Sequence, residues 1–152
     1  MKIYVASSWR NLRHPDIVAA LKETGHSVYD FRHPSDGVTG FAWSEIDPDW
    51  QSWTAAEYRA GLDHPLAREG FRRDMDALRT CDVCVLVLPC GRSAHLEAGW
   101  AIGAGRPTAI LTRDGEEPEL MARMADVVVD LTELLAWVRG MAAIIDDLRP
   151  QK

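Results

Sequence analysis

The chain is poor in several things, and each scarcity removes a class of protein. It has three cysteines, Cys81, Cys84 and Cys90, an odd number and too few for a disulfide scaffold. Its longest apolar run, Val83 to Pro89, is seven residues, far short of the roughly 18 that suggest a membrane span. Lysine occurs three times against fourteen arginines, which we read as a coding bias, and no basic run exceeds Arg72-Arg73. With 23 acids against 17 bases the formal net charge is −6, a balance that a phosphate backbone repels. A nucleic-acid polymer is therefore not the expected partner, although its building blocks remain open. There is no GxGxxG, Walker loop, HExxH, internal repeat or low-complexity tract.

What is there reads as one domain over residues 1–152, 47% hydrophobic and 26% charged. A chain of this length buries about two-thirds of its unfolded surface in a single core and needs neither disulfide nor metal to fold. The opening Met-Lys-Ile-Tyr-Val is too short and too strand-like for a signal-peptide core. With the odd cysteine count, it predicts a cytoplasmic protein with reduced thiols.

Short β-branched runs alternate with helix-period segments, the pattern of βαβ units and a parallel sheet. Five strands are predicted, at Ile3–Ala6, Val28–Phe31, Val83–Leu88, Thr108–Leu111 and Val127–Leu131. Helices are predicted over Asp16–Thr24, stopped by Gly25, and over Pro65–Thr80, Ala94–Gly105 and Leu131–Leu148. One stretch breaks the alternation: residues 32–64 form an insertion with Phe41, Trp43, Trp50, Trp53 and Tyr58 among turn residues and acids. A connection this long is usually a lid or a local subdomain. Its aromatics can form a small core or subunit contact, or stack a ligand; both uses suit them.

Functional candidates gather after the third strand. Gly91, Arg92 and Ser93 fall between a strand end and a helix start, where open α/β sheets bind ligands and free N–H groups favour an anion. The plainer alternative is a turn with Ser93 as the helix cap. Glu97 is expected in the first turn of that helix, either as an acid complementing the dipole or as a carboxylate nucleophile toward an anomeric carbon. On the preceding helix Asp74 and Asp76 point about 200° apart. Against the stripe Phe71, Met75 and Leu78, Asp74 lies at the edge and Asp76 nearly opposite, in solvent, so only Asp74 is a site candidate. Cys81, Cys84, Cys90 and His95 begin with a CxxC, yet Cys81 and Cys90 flank opposite ends of one strand, about 25–30 Å apart at about 3.3 Å per residue. No metal site is expected, and no cofactor.

Three separated segments, KIYVASSWRN, RDMDALRTCDVCVLVL and HLEAGWAIGAGRP, together resemble the nucleoside 2-deoxyribosyltransferase family, including its relatives that hydrolyse nucleoside 5′-monophosphates. The resemblance spans most of the chain apart from the insertion. It implies a flavodoxin-like, Rossmann-like five-stranded parallel sheet of order 2-1-3-4-5, flanked by helices, in a homodimer or higher homo-oligomer. Glu97, Gly99 and Ala101 match an E-x-G-x-A pattern whose glutamate attacks the anomeric carbon. Asp74, Leu78 and Asp82 match a D-x-x-x-L/I-x-x-x-D stretch, so Asp74 would protonate the leaving base or orient the glutamate. Tyr4 matches a tyrosine that holds the nucleophile. Ser8 and Arg10 match a phosphate-contacting pair in the monophosphate hydrolases, with Arg92 and Ser93 completing the pocket; Ser8 reads equally as a turn hydroxyl. The asparagine that deoxyribosyltransferases place from a neighbouring subunit has no counterpart, since Asn11 is the only asparagine.

The expected activity is cleavage of the N-glycosidic bond of a nucleoside or nucleotide through a Glu97 glycosyl-enzyme, by hydrolysis or base transfer. Trp43, Trp50 and Trp53 would stack the base, and Asp47 of the insertion is a second candidate for protonating it. The competing readings are a non-catalytic nucleotide-binding or signalling module, an NAD-cleaving TIR-like glycohydrolase, and a structural oligomer subunit.

Overall fold

The structure, a computed structural model, describes residues 1–35 and 37–148; Asp36 of the insertion and residues 149–152 of the predicted domain lie outside the described residues. Two compact units are distinguished: Met1–Asp30 with Leu78–Lys152, and Phe31–Ala77.

The first unit is a five-stranded, all-parallel sheet of order β2-β1-β3-β4-β5. Its strands are β1 (Lys2–Ala6), β2 (Ser27–Asp30), β3 (Val83–Val87), β4 (Thr108–Leu111) and β5 (Asp126–Val128). Every residue of β3 is buried, as expected of a central parallel strand covered on both faces. Alternation sends Ile3, Val5, Val83, Val85 and Val87 to one face, where they join Ile17, Val18 and Leu21 of α1 (His14–Glu23) and Leu134 and Val138 of α5 (Leu131–Leu148) in one core. Tyr4, Ala6, Cys84 and Leu86 turn to the opposite face and are equally buried. Next to β3 and β1 lies α4 (Arg92–Gly103), which buries Ala94, Ala98 and Ala101. Their spacing of four and three puts three small side chains in one row, so the helix can approach closely.

Several boundaries differ from expectation, three of them for a clear local reason. The fifth strand stops at Val128 because the next residues cap α5: Glu133 N–H donates to Asp130 Oδ1 at 2.8 Å and Val129 N–H to Glu133 Oε2 at 2.9 Å. The fourth helix begins at Arg92, two residues earlier than predicted, because Gly91 takes the extended cap conformation. Ser93 is therefore not the cap. The first helix starts at His14, with Pro15 in its first turn; His14 is fully buried and its Nε2 lies 3.6 Å from Asp30 Oδ1.

The second unit holds most of the insertion and one helix that the periodicity missed, α2 (Ala55–Leu62). Its signal was present: Thr54 and Glu57 form a capping box, in which Glu57 N–H donates to Thr54 Oγ1 at 3.3 Å and Thr54 N–H to Glu57 Oε2 at 2.7 Å. Two short 3-10 turns, Trp43–Glu45 and Trp50–Ser52, precede it. Next comes α3 (Pro65–Thr80), which runs out of this unit into the first. The expected stripe on α3 is corrected at Phe71, which is 68% exposed.

Within the unit, Phe41, Trp43, Trp53 and Tyr58 meet edge to face, with centroid distances of 4.9 Å from Phe41 to Trp43, 5.6 Å from Trp43 to Trp53 and 6.1 Å from Trp43 to Tyr58. Glycine makes two of these positions possible. A Cβ at Gly61 would stand 2.5 and 2.8 Å from ring atoms of Trp53, and one at Gly70 would stand 2.7 Å from Phe41 Cβ. Gly61→Ala must therefore push the Trp53 ring away, and overpacking of this kind costs about 1–3 kcal/mol. A urea titration followed by tryptophan emission should show a lower midpoint and a shifted native spectrum; an unchanged native spectrum would mean that the ring has room to spare.

Candidate active site

The reversal of strand order between β1 and β3 opens a crevice at the carboxyl edge of the first unit's sheet. Its walls are the segment after β1, the loop after β3 and the start of α4. The segment after β1 is tied to the end of β3 by side chains that sequence reasoning passed over. Ser7 Oγ donates to the Val87 carbonyl at 2.9 Å, and Asn11 Nδ2 donates to the same oxygen at 3.1 Å and to Ser7 Oγ at 3.0 Å. Asn11 is buried, and its Oδ1 accepts the Arg13 backbone N–H at 2.9 Å. Arg13 Nη1 reaches the carbonyls of Leu88 and Thr112, both at 3.4 Å. The available signal was a lone asparagine five residues beyond the first strand, a residue type suited to satisfying a turn's own backbone.

Of the residues singled out on this segment, Ser8 Oγ accepts the Arg10 N–H at 3.2 Å, which is the turn geometry that competed with a phosphate role. Arg10 itself is exposed. Across the crevice, Arg92 and Ser93 are exposed at the first two positions of α4, and Gly91 caps the helix with no side-chain hydrogen bond. The first amides of α4 thus have no side-chain cap, an arrangement whose partial positive charge favours an anion.

Glu97 lies in the second turn of α4 and not in the first, where it was expected. The helix has no acid in its first turn, because it begins two residues earlier than the sequence suggested. Glu97 is half-buried, and its charge contributes to raising two thiols, Cys84 of β3 and Cys90 of the loop. Beside Cys84 in register sits Tyr4, whose ring stacks on Tyr29 of β2 at 5.2 Å with planes 17° apart. Tyr4 is wholly buried, so its orientation is set by Tyr29 on one side and β3 on the other. Tyr4, Cys84 and Glu97 therefore belong to one layer, between the sheet and α4.

The three thiols are free, and burial keeps them protonated. It is the main cause that pushes Cys81 and Cys84 up and takes Cys90 up to about 12, with Glu97 and Glu116 adding to the effect at Cys90. Cys90 Sγ lies 3.4 Å from His95 Nδ1, which also meets the Gly91 carbonyl at 3.2 Å. Among the described residues no three His, Cys, Asp or Glu side chains are placed to hold a metal ion.

The remaining candidates lie in the second unit. Asp74 on α3 is half-buried, while Asp76 is exposed and accepts from Arg72 Nη1 at 2.9 Å, in line with the helical geometry that separated them. Trp43, Trp50 and Trp53, with Gln51, Thr54, Ala55 and Tyr58, line a cleft of about 280 Å³. Asp47 does not line it; its Oδ2 accepts the indole N–H of Trp53, and its Oδ1 accepts the Asp49 N–H at 2.9 Å. That pair of bonds holds the Asp47 carboxyl below the usual aspartate range, so it is an ionised acceptor at neutral pH and a poor proton donor.

The architecture is that of the nucleoside deoxyribosyltransferase fold. One solved structure it resembles is the 2-deoxyribosyltransferase of Bacillus psychrosaccharolyticus, at a TM-score of 0.57 and 18% identity over 88% of this chain and 90% of that one. Another is the CMP N-glycosidase BcmB of Clostridium botulinum, at a TM-score of 0.51 and 18% identity over 91% and 99%. No family model and no curated protein sequence matches the chain.

Two measurements check this geometry. Asn11→Ala leaves a buried carbonyl and a backbone N–H short of partners, which costs about 1–3 kcal/mol; the denaturant midpoint should fall accordingly, and an unchanged midpoint would show that the clamp is dispensable. A thiol raised to about 12 is almost wholly protonated at pH 8. Cys90 in the folded protein should therefore alkylate far more slowly than free cysteine at that pH, and equal rates would contradict its burial.

Proposed function

We propose that the chain is an enzyme that cleaves the N-glycosidic bond of a nucleoside, deoxynucleoside or nucleoside 5′-monophosphate. The observation that carries this reading is Glu97: a half-buried carboxylate in the layer of Tyr4 and Cys84, on the helix that opens the switch-point crevice. In this reading Glu97 attacks the anomeric carbon while the C1′–N electron pair departs with the base, and water or a second base then releases the sugar. Tyr4 orients the glutamate and Asp74 supplies the proton that a neutral leaving base requires. Gly91, Arg92 and Ser93, with Ser8 and Arg10, take a 5′-phosphate at the uncapped start of α4.

The tryptophans of the insertion stack the base, which aromatic platforms stabilise by roughly 1–3 kcal/mol. The fold likeness to a 2-deoxyribosyltransferase and a CMP N-glycosidase supports the reaction class, since both names describe chemistry at a nucleoside's glycosidic bond. The substrate is a small molecule; neither a nucleic-acid polymer nor a membrane is a partner in this reading, and no helix of the described residues is long and apolar enough to cross one. We also propose a homodimer or higher homo-oligomer working in the cytoplasm, supported by the exposure of Leu96 and Trp100 one turn apart on α4 and by the three free thiols.

The test is a panel of ribo- and deoxyribonucleosides, their 5′-monophosphates and NAD, with and without an acceptor base, followed by chromatography of released base. Glu97→Gln should reduce base release by at least about a thousandfold, the scale expected when a covalent nucleophile is lost, with the far-UV spectrum unchanged. Dependence on acceptor would define a transferase. Release of base from NAD alone would favour the TIR-like alternative, and tight binding without turnover would favour the signalling module.

A further inference from the structure

The aromatic cleft of the second unit has a charge character that plain base stacking does not require. Four of its lining side chains are Trp43, Trp50, Trp53 and Tyr58, of which Trp50 (37%) and Tyr58 (53%) are open to solvent. Among the described residues, the charged groups hydrogen-bonded to the lining are carboxylates. Asp47 accepts the Trp53 indole N–H, and Glu57 accepts both the N–H and the hydroxyl of Thr54, each at 2.7 Å.

These bonds hold both carboxyls below their usual range, so both are ionised at neutral pH, and Glu57 feels the charge of Asp47. An indole whose N–H donates to a carboxylate presents a more electron-rich face, and electron-rich faces attract cations. The cleft's volume, about 280 Å³, lies just below the range for ligand sites, about 300–1,000 Å³, and suits a single heterocycle rather than a whole nucleotide.

We propose that this cleft selects a base that already carries a positive charge, an N-alkylated purine or a pyridinium, over its neutral counterpart. The proposal rests on the reading that the insertion carries the base, and adds the base's charge to it. The chemistry agrees with the electrostatics. When a cationic base departs, the C1′–N bond breaks, its electron pair neutralises the ring, and a new C1′–O bond forms to the Glu97 carboxylate. No proton has to be delivered. Water then takes the sugar from Glu97, regenerating the carboxylate and releasing one proton to solvent. An Asp47 held ionised, unable to act as an acid, is no handicap for such a substrate.

The experiment uses the full chain and calorimetry with two matched pairs: 1-methylnicotinamide against nicotinamide, and 7-methylguanosine against guanosine. The cationic member of at least one pair should bind about tenfold more tightly, and which pair does so separates the pyridinium from the purine. Tetramethylammonium should compete with it. The double variant Asp47→Asn, Glu57→Gln, checked for folding by circular dichroism, should lose the preference.

Equal affinities within both pairs, no competition by tetramethylammonium, or a preference that survives in the folded double variant would each overturn the proposal. Its fate is separable from that of the glycosidase reading. Glu97-dependent release of neutral bases with no charge preference would overturn the cation site alone. Cation-selective binding with no base release from any member of the panel would support the cation site and overturn the glycosidase assignment.

Discussion

The carbonyl oxygen of Val87 is where the first unit's crevice is held together. A parallel strand that ends at the carboxyl edge presents carbonyls with no further strand to pair with, and burying them unpaired would cost about 1–3 kcal/mol each. Here Ser7 and Asn11 both donate to that oxygen. Asn11 turns its other side-chain atom to the Arg13 N–H, and the Arg13 guanidinium extends to the ends of β3 and β4. One connected set of hydrogen bonds thus fixes the segment after β1 against the strands that flank it. Because every member shares partners with another, the network is stiff and the loss of one donor is felt by the rest.

On that frame the helix after β3 sets the electrostatics. Its row of alanines lets α4 lie close to the sheet, its start carries no side-chain cap, and Glu97 stands a full turn inside. Amides at the helix start suit an anion, while a carboxylate half-buried beside thiols kept protonated suits a nucleophile, since the thiols bring no competing charge. In the second unit the balance is the reverse: electron-rich rings backed by carboxylates suit a flat cation or a stacked heterocycle.

The fold itself carries less functional weight than these side chains. Parallel sheets of this order host unrelated chemistries at the same edge, and at 18% identity the likeness to solved structures speaks for architecture. Glu97 and its layer bear on any reaction at the sheet edge, and Trp53, Asp47, Thr54 and Glu57 on the character of a ligand in the cleft.

The strands and most helices were legible in the residues alone. Those features are local: β-branched runs, helical spacing, and glycine at turns each act within a few residues, so VCVLV reads as a buried strand wherever it is packed. The sequence also separated Asp74 from Asp76, because helical geometry alone turns them apart. The capping box of α2 was equally local and was overlooked because its helix has almost no apolar face to announce it. Other features were decided only by tertiary structure. That Phe71 stays exposed, that Gly61 is required by the Trp53 ring, and that Asn11 reaches a carbonyl 76 residues away all depend on which surfaces meet. The Trp53 indole could find its carboxylate only once the insertion had folded, and Glu97 could share a layer with Tyr4 only once β1 lay beside β3. Contacts between residues far apart in the chain carry no periodicity, so spacing alone does not reveal them.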